Sequence, residues 1–438
     1  MIRRPAPFPV ACALLAIAYF VLAPGTPERA QGPRVIVLGL DGLDPDLLSS
    51  LMDEGALPNF SRLAGEGSFS RLGTTTPPQS PVAWSTFLTG ANPGVHGVFD
   101  FVHRDPATYR PYLSTARTEP PECVLSVGDW RFPLDSPEVK LLRSGGAFWE
   151  KIAAAGHPVL ALKVPADYPP GEEEGRVLAG MGVPDLAGTY GDFTYYTDRP
   201  ETEGEVEGGR IEIVRVAGGR VSAELRGPPN TLRAGFPALT VPVIVEIDPE
   251  EPAAHIQIGE SRTVLVEGEW SPWLAVEFDP GFLAPSVRGI CRLFLEKVRP
   301  WFGLYVSPVN VDPRDPALPI ARPEGFSGEL AAEVGPFYTQ GMAEETSGLN
   351  SGVLSDASYL GQAGIVLSES ERLLDSGLEE FRERGGLLFF YVGTSDLTSH
   401  MFWRARDPGH PAPPPELPPG SDPIRDLYVR LDGMLGRV

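Results

Sequence analysis

The sequence predicts an α/β protein: a mostly parallel sheet flanked by helices, interrupted by a β-rich insertion. Three observations predict it. Arg34–Leu40, Pro158–Val164 and Gly386–Val392 are short, almost wholly apolar runs, suited to strands covered on both faces. Helical spacings accompany them, most clearly over Ser355–Arg384. Between about Gly188 and Pro280 the pattern changes to partly alternating runs between Gly and Pro turns, the mark of antiparallel strands.

Size and charge bound the function. A chain of 438 residues, 42% hydrophobic, can hold two or three domains or one large α/β domain with an insertion. We divide it into residues 1–30, the first part of an α/β core at 34–187, a β-rich insertion and connector at 188–325, and the second part of that core at 326–438. A formal net charge of -22 argues against nucleic acid as a partner. Arg3 and Arg4 precede an apolar run from Phe8 to Ala23 and then Pro24-Gly25-Thr26-Pro27, the layout of a secretory signal peptide. The cleavage site is poorly defined, so an N-terminal membrane anchor is the alternative. Either way the body is expected outside the cytoplasm, periplasmic or extracellular. Cys12 lies in that segment, leaving Cys123 and Cys291 for one disulfide or two free thiols.

Taken in order, the first strand ends at Asp41-Gly42. Ligands gather outside the carboxyl ends of strands in open α/β sheets, so Asp41 stands where chemistry is done, although a D-G pair is also an ordinary turn. Helices are expected at Pro45–Asp53 and Pro58–Ala64, stopped by Gly55 and Gly65, with a strand at Ser68–Leu72. In Pro77–Gly90, Ser80 precedes Pro81, which suits a first helical turn. Its hydroxyl would then sit beside free backbone N–H groups and the positive end of the helix dipole, where a phosphoryl group is favoured. The competing reading is a plain N-cap serine. Asn92-Pro93-Gly94 forms a turn, and His96 reads as a hydrogen-bonded loop histidine. Ala147–Ala155 is expected helical. Arg288–Lys297 and Trp301–Val306 read as mixed structure, and Pro308–Pro323 as a proline-rich connector. The third strand is followed by Asp396 and His400, four apart and able to share a metal if a helix or tight turn begins there. Asp426–Val438 reads as an amphipathic helix carrying Leu427, Val429, Leu431 and Leu435.

Three separated segments together resemble the alkaline phosphatase superfamily, in the branch of type I phosphodiesterases and nucleotide pyrophosphatases. They are Val35–Gly42, Pro77–Gly97 and Phe389–His400. In that family the nucleophile precedes a T-G by nine residues and a P-x-x-H-G turn follows. Thr89-Gly90 and Pro93-Gly94-Val95-His96-Gly97 stand in that relation to Ser80. More closely, the L-D-G, L-P-N, T-G-x-N-P-G and H-G-x-F-D-F pattern is similar to a bacterial subgroup of predicted phosphohydrolases or phosphomutases.

The resemblance implies Ser80 as nucleophile and Asp41, Ser80, Asp396 and His400 as metal ligands. It also implies two divalent ions, Zn²⁺ or Mn²⁺. Such ions would lower the hydroxyl pKa of Ser80 and grip the phosphate oxygens. Two departures carry expectations of their own. The family completes its metal set with an Asp-His-Gly and a later His; none of the 6 histidines here follows an aspartate, so a C-terminally truncated, half-ligated site is expected. A phosphate-contacting Asn of nucleotide pyrophosphatases is replaced by Phe101, which with Phe99 and Trp84 gives an apolar surround. A small-molecule, lipid or glycan phosphate ester is the expected partner, and no protein partner is inferred. Lys163, at a strand end, is either a phosphate contact or a solvated lysine. Tyr168 and Asp185 lie near the expected site, and His410 and Trp403 beside the metal pair. Phosphotransfer or mutase chemistry, or a non-catalytic envelope binding role, are the alternatives to hydrolysis.

Overall fold

The computed structural model describes residues 34–171, 175–200, 204–281 and 284–438. Residues 1–30, read from the sequence as a signal peptide or anchor, lie outside them, and no helix among the described residues is long and apolar enough to cross a membrane.

The central sheet has five strands: β1 (Arg34–Leu40), β2 (Val159–Val164), β3 (Arg176–Ala179), β4 (Ala321–Arg322) and β5 (Gly386–Val392), in the order β1-β5-β2-β3-β4. The pairs β1/β5, β5/β2 and β2/β3 are parallel and β3/β4 is antiparallel. The helices that build its layers are α1 (Pro45–Asp53), α2 (Pro58–Glu66), α3 (Ser80–Thr89), α4 (Phe148–Ala154), α5 (Phe326–Val334), α6 (Asp356–Arg384), α7 (Thr394–Phe402) and α8 (Pro423–Arg437).

Strand β5 is buried at every position because alternate side chains enter two cores. Leu388, Phe390 and Val392 meet α5, α6 and α8 on one face; Leu387, Phe389 and Tyr391 meet α3 and α4 on the other. Two covered faces are why the run carries no polar alternation. The order leaves β1 at an edge, with its hydrogen-bonded neighbour on one side only.

Strands and turns from 193 to 311 build the β-rich region: a six-stranded sheet, a four-stranded antiparallel meander and a three-stranded sheet around one large core. Its strands are antiparallel apart from Phe193–Thr197, which pairs in parallel with Gly209–Ile213. It is clamped to α6 by a buried ion pair, Arg292–Glu369, at 2.6 Å.

Several expectations need correction. Ser68–Leu72 is exposed and forms no strand, its few apolar side chains having no sheet edge to join. Helix α2 runs through Gly65 and ends at Gly67. Arg288–Lys297 and Trp301–Val306 contain sheet strands, largely buried from Gly289 to Leu295 and from Phe302 to Val306. The proline-rich connector is largely buried between residues 308 and 313, and it carries β4 back to the central sheet. Residues 102–141, which carried no strand expectation, form three two-stranded ribbons. Val429 lies on the exposed side of α8. Cys123 and Cys291 are both free thiols, one exposed and one buried.

Helix α2 also shows how distant residues finish an element. Its N-cap, Leu57, has no side chain able to accept a hydrogen bond. The buried carboxylate of Asp432, on α8, accepts from the amides of Asn59 at 2.9 Å and Phe60 at 2.8 Å, and from Asn59 Nδ2 at 2.8 Å. It therefore caps a helix more than 370 residues away in sequence. Asp432→Ala is expected to cost about 2–4 kcal/mol, because several buried donors lose their acceptor at once; urea unfolding of the variant measures it.

Candidate active site

The site forms where four chain segments leave the central sheet on the same side. Asp41 follows β1, Gly393 follows β5, Lys163 lies at the end of β2, and Gly180–Gly182 follows β3. This is the carboxyl edge of the parallel strands, where open α/β sheets hold ligands. Helix α3 brings Ser80 to the same place, and α7 brings Asp396 and His400. One cavity of about 510 Å³ is lined by Asp41, Ser80, Lys163, Glu344, Asp396 and His400. A second cavity, about 1180 Å³, shares Asp41, Ser80, Asp396 and His400 and runs along the outer edge of β1.

Ser80 is the first residue of α3, one position past the N-cap Gln79. It is therefore not the capping serine, and among the described residues its hydroxyl has no hydrogen-bond partner. The helix end is less generous to an anion than expected. Val82 and Ala83 already donate their amides to the Gln79 carbonyl, at 3.0 and 2.9 Å, and Pro81 has no N–H.

Asp41 is held from two sides. Tyr391 donates its hydroxyl to Asp41 Oδ2 at 2.7 Å, and the Gly42 amide donates to Oδ1 at 3.1 Å. The phenol needs this partner, since it is a polar atom at the end of an otherwise apolar buried strand. Asp396 stands directly alongside: a Cβ built on Gly42 would lie 2.7 Å from Asp396 Oδ1. Helix α7 begins at Thr394, so Asp396 and His400 are one turn apart, with His400 Nε2 3.5 Å from Asp396 Oδ2. Burial, followed by the charge of Asp41, pushes the Asp396 carboxyl up to about 6; Glu344 adds to the rise and His400 opposes it.

Lys163 is not a solvated strand-end lysine. Its ammonium donates to Ser370 Oγ at 2.8 Å, and burial lowers its pKa against the pull of Glu344 and Glu369. Phe101 lines the smaller cavity. Trp84 instead packs its ring over Gly39 and edge-on to Tyr391 at 5.0 Å, reaching only the larger cavity, together with Trp403 and His410. Phe99 is exposed and lines neither, and Tyr168 and Asp185 are buried elsewhere. Two residues escaped sequence reasoning. Tyr391 carried a readable signal, a phenol in the run GLLFFYV. Glu344, whose Oε1 is buried without a hydrogen-bond partner, came from a loop with no distinguishing pattern.

His96 holds the turn behind α3. The Val98 amide donates to its Nδ1 at 3.2 Å, so Nε2 carries the proton and faces Thr86 Oγ1 at 2.9 Å. Burial, and then the charge of Arg143, lowers its pKa from 6.5. The folded state thus resists a proton that the unfolded chain accepts. Stability is expected to be full above pH 6.5 and to fall below it, by up to about 1.4 kcal/mol per pH unit until the folded pKa is reached. Melting curves of the protein and His96→Asn between pH 5 and 7.5 test this: only the variant should lack that component.

A divalent cation is tested by the donor set. Two hard carboxylates held together against their mutual repulsion, beside a histidine and a hydroxyl, are what such an ion neutralises. Asp41, Asp396 and His400 supply donor types that such an ion takes, and the two carboxylates are brought together. Among the described residues no group of three or more His, Cys, Asp or Glu side chains gathers closely enough to enclose an ion.

The fold is a mixed α/β core with a mostly parallel central sheet, consistent with an alkaline-phosphatase-like fold. The matching family model, type I phosphodiesterase / nucleotide pyrophosphatase, spans residues 35–207, and the resemblance is shown over that span. It takes in Asp41, Ser80, Phe101 and Lys163, whereas Asp396 and His400 lie beyond it. No curated protein and no solved structure matches the chain. The family points to a phosphoester hydrolase, and its members typically depend on divalent metal ions.

Proposed function

We propose that the chain hydrolyses phosphoric esters, diesters above all, through a phosphoserine at Ser80. One observation carries the reading. An unengaged hydroxyl at a helix start shares a cavity with two adjacent carboxylates at the ends of neighbouring parallel strands. Oγ attacks phosphorus in line with the departing alkoxide, and the proton shed by Oγ ends on that alkoxide, which leaves as the alcohol; water then cleaves the Oγ–P bond, its hydroxyl staying on phosphorus and its other proton returning to Oγ. Asp41, Asp396 and His400 would hold the divalent cation, Zn²⁺ or Mn²⁺. When bound, it supplies Lewis-acid stabilisation of the negative charge that the acidic lining alone would repel. Tyr391 fixes the Asp41 carboxylate, as groups behind a metal ligand commonly do. Export, by a signal peptide or an anchor, rests on the sequence of residues 1–30 alone.

The test is chemical trapping. The full chain, incubated with Zn²⁺ or Mn²⁺ and a bis-aryl phosphate, is quenched in acid and its peptides mapped. Phosphate on Ser80 is expected. Steady turnover with no phosphorylated peptide, under conditions that trap such intermediates, would overturn the mechanism.

A further inference from the structure

We infer that the smaller cavity selects phosphoric esters whose alcohol arm is an uncharged hydrocarbon, and disfavours nucleoside or further phosphorylated arms. This rests on the proposed reading of Ser80 as the reacting group, and it adds what the rest of the molecule must look like.

The cavity has two unlike walls. One carries the polar groups around Ser80. The other is mainly apolar, made by Phe101, Leu113, Met181, Tyr190 and Met342 with Thr115 as its polar member. Its volume of about 510 Å³ lies within the roughly 300–1,000 Å³ of sites that close around small organic ligands, so it has room for an arm beyond the phosphoryl group.

Charge decides what the arm can be. Three carboxylates, Asp41, Glu344 and Asp396, line the cavity. Among the described lining residues there is no arginine, and Lys163 is the one lysine, already donating to Ser370. A second phosphate on the arm would be buried among like charges without a partner, which is heavily penalised. A nucleoside would need donors and acceptors for base and sugar. The Tyr190 phenol donates to the Gly182 carbonyl at 3.2 Å, which leaves Thr115 and Gln79 as the neutral polar side chains for a base and a sugar together. Two thioethers, a leucine and a phenyl ring instead offer dispersion contacts to a chain or ring.

The apolar wall is also preformed. The loop after β3 and the loop carrying Met342 cross so closely that a Cβ on Gly341 would lie 2.4 Å from the Gly180 carbonyl oxygen. The Gly341 amide donates to the Val183 carbonyl at 3.0 Å, and Met181 accepts from the Ala166 amide at 2.8 Å. Met181 and Met342 are thus presented from a locked crossing, so an arm is received with little ordering cost.

Binding tests this independently of turnover. The full chain with Mn²⁺ or Zn²⁺ is titrated calorimetrically with methyl-, butyl- and octylphosphonate and with thymidine 5′-monophosphate. Affinity is expected to rise roughly threefold to fourfold per methylene until the cavity is full. Thymidine monophosphate should bind no better than methylphosphonate. Met342→Ala and, separately, Leu113→Ala should each shrink the octyl-to-methyl affinity ratio by about tenfold or more. A flat series, or thymidine monophosphate binding as tightly as octylphosphonate, would overturn the inference. Parallel assays of aryl alkyl phosphates on the protein and Ser80→Ala separate the two readings. Ser80-dependent turnover with a flat binding series sinks the hydrocarbon inference alone. A steep series without Ser80-dependent turnover sinks the mechanism and leaves the cavity's preference standing.

Discussion

Replacing Ser80 by alanine is expected to cut phosphoester hydrolysis by at least about 10³-fold while leaving the fold intact, the loss of a covalent route that water in the same cavity does not replace. In barrier terms this is about 4 kcal/mol. The two halves of the expectation come from different facts. Stability should stay within about 0.5 kcal/mol, because the Ser80 hydroxyl satisfies no other group and alanine is welcome in a helix. Activity should collapse, because the hydroxyl shares its cavity with Asp41 and Asp396, while the Tyr391 and Tyr190 phenols there already donate to Asp41 and the Gly182 carbonyl and the Lys163 ammonium to Ser370. The measurement is kcat on a bis-aryl phosphate at saturating Zn²⁺ or Mn²⁺, with a melting curve beside it. A fall of less than tenfold would show that Ser80 is a bystander.

The central sheet was legible because its strands are covered on both faces, which leaves long apolar runs and abrupt ends. The run at Gly386–Val392 matches its strand residue for residue, and Pro158–Val164 does so within one. The ribbons of residues 102–141 were not legible, since short strands with mostly exposed side chains, such as Val124–Val127, carry no periodicity to read. At the site, Asp41 and Asp396 could be placed because each follows an apolar strand. The role of Lys163 could not. Its surroundings come from α6, more than 200 residues away, and no local pattern says that a strand-end lysine will find Ser370. Ser80 was legible as a helix-start residue. Which hydroxyl is a cap and which is free depends on one residue of phase, and that is set by where the chain turns at Gln79.

The largest stability effect is expected from Glu369. Its carboxylate is 3% exposed and serves three donors: Arg292 at 2.6 Å and the Trp273 indole at 2.9 Å on Oε1, and the Tyr338 amide at 2.9 Å on Oε2. Arg292, on the β-rich side, also donates to the Ser271 carbonyl at 2.6 Å and lies over the Trp273 ring at 4.5 Å. Removing the carboxylate strands a buried guanidinium, an indole N–H and a backbone amide together. Glu369→Ala should therefore cost about 3–5 kcal/mol, and Arg292→Ala a similar amount for the converse reason. The pair should not be additive: once one charge is gone, losing the other removes an unpaired ion, so the double variant should lie well short of the sum. The consequence reaches the site, because Tyr338 leads the loop that ends in Met342 and Glu344. Urea unfolding of both single variants and the double variant, followed by circular dichroism, measures the cycle. A cost below about 1 kcal/mol for each single change would mean that the β-rich region is held to α6 by apolar packing alone.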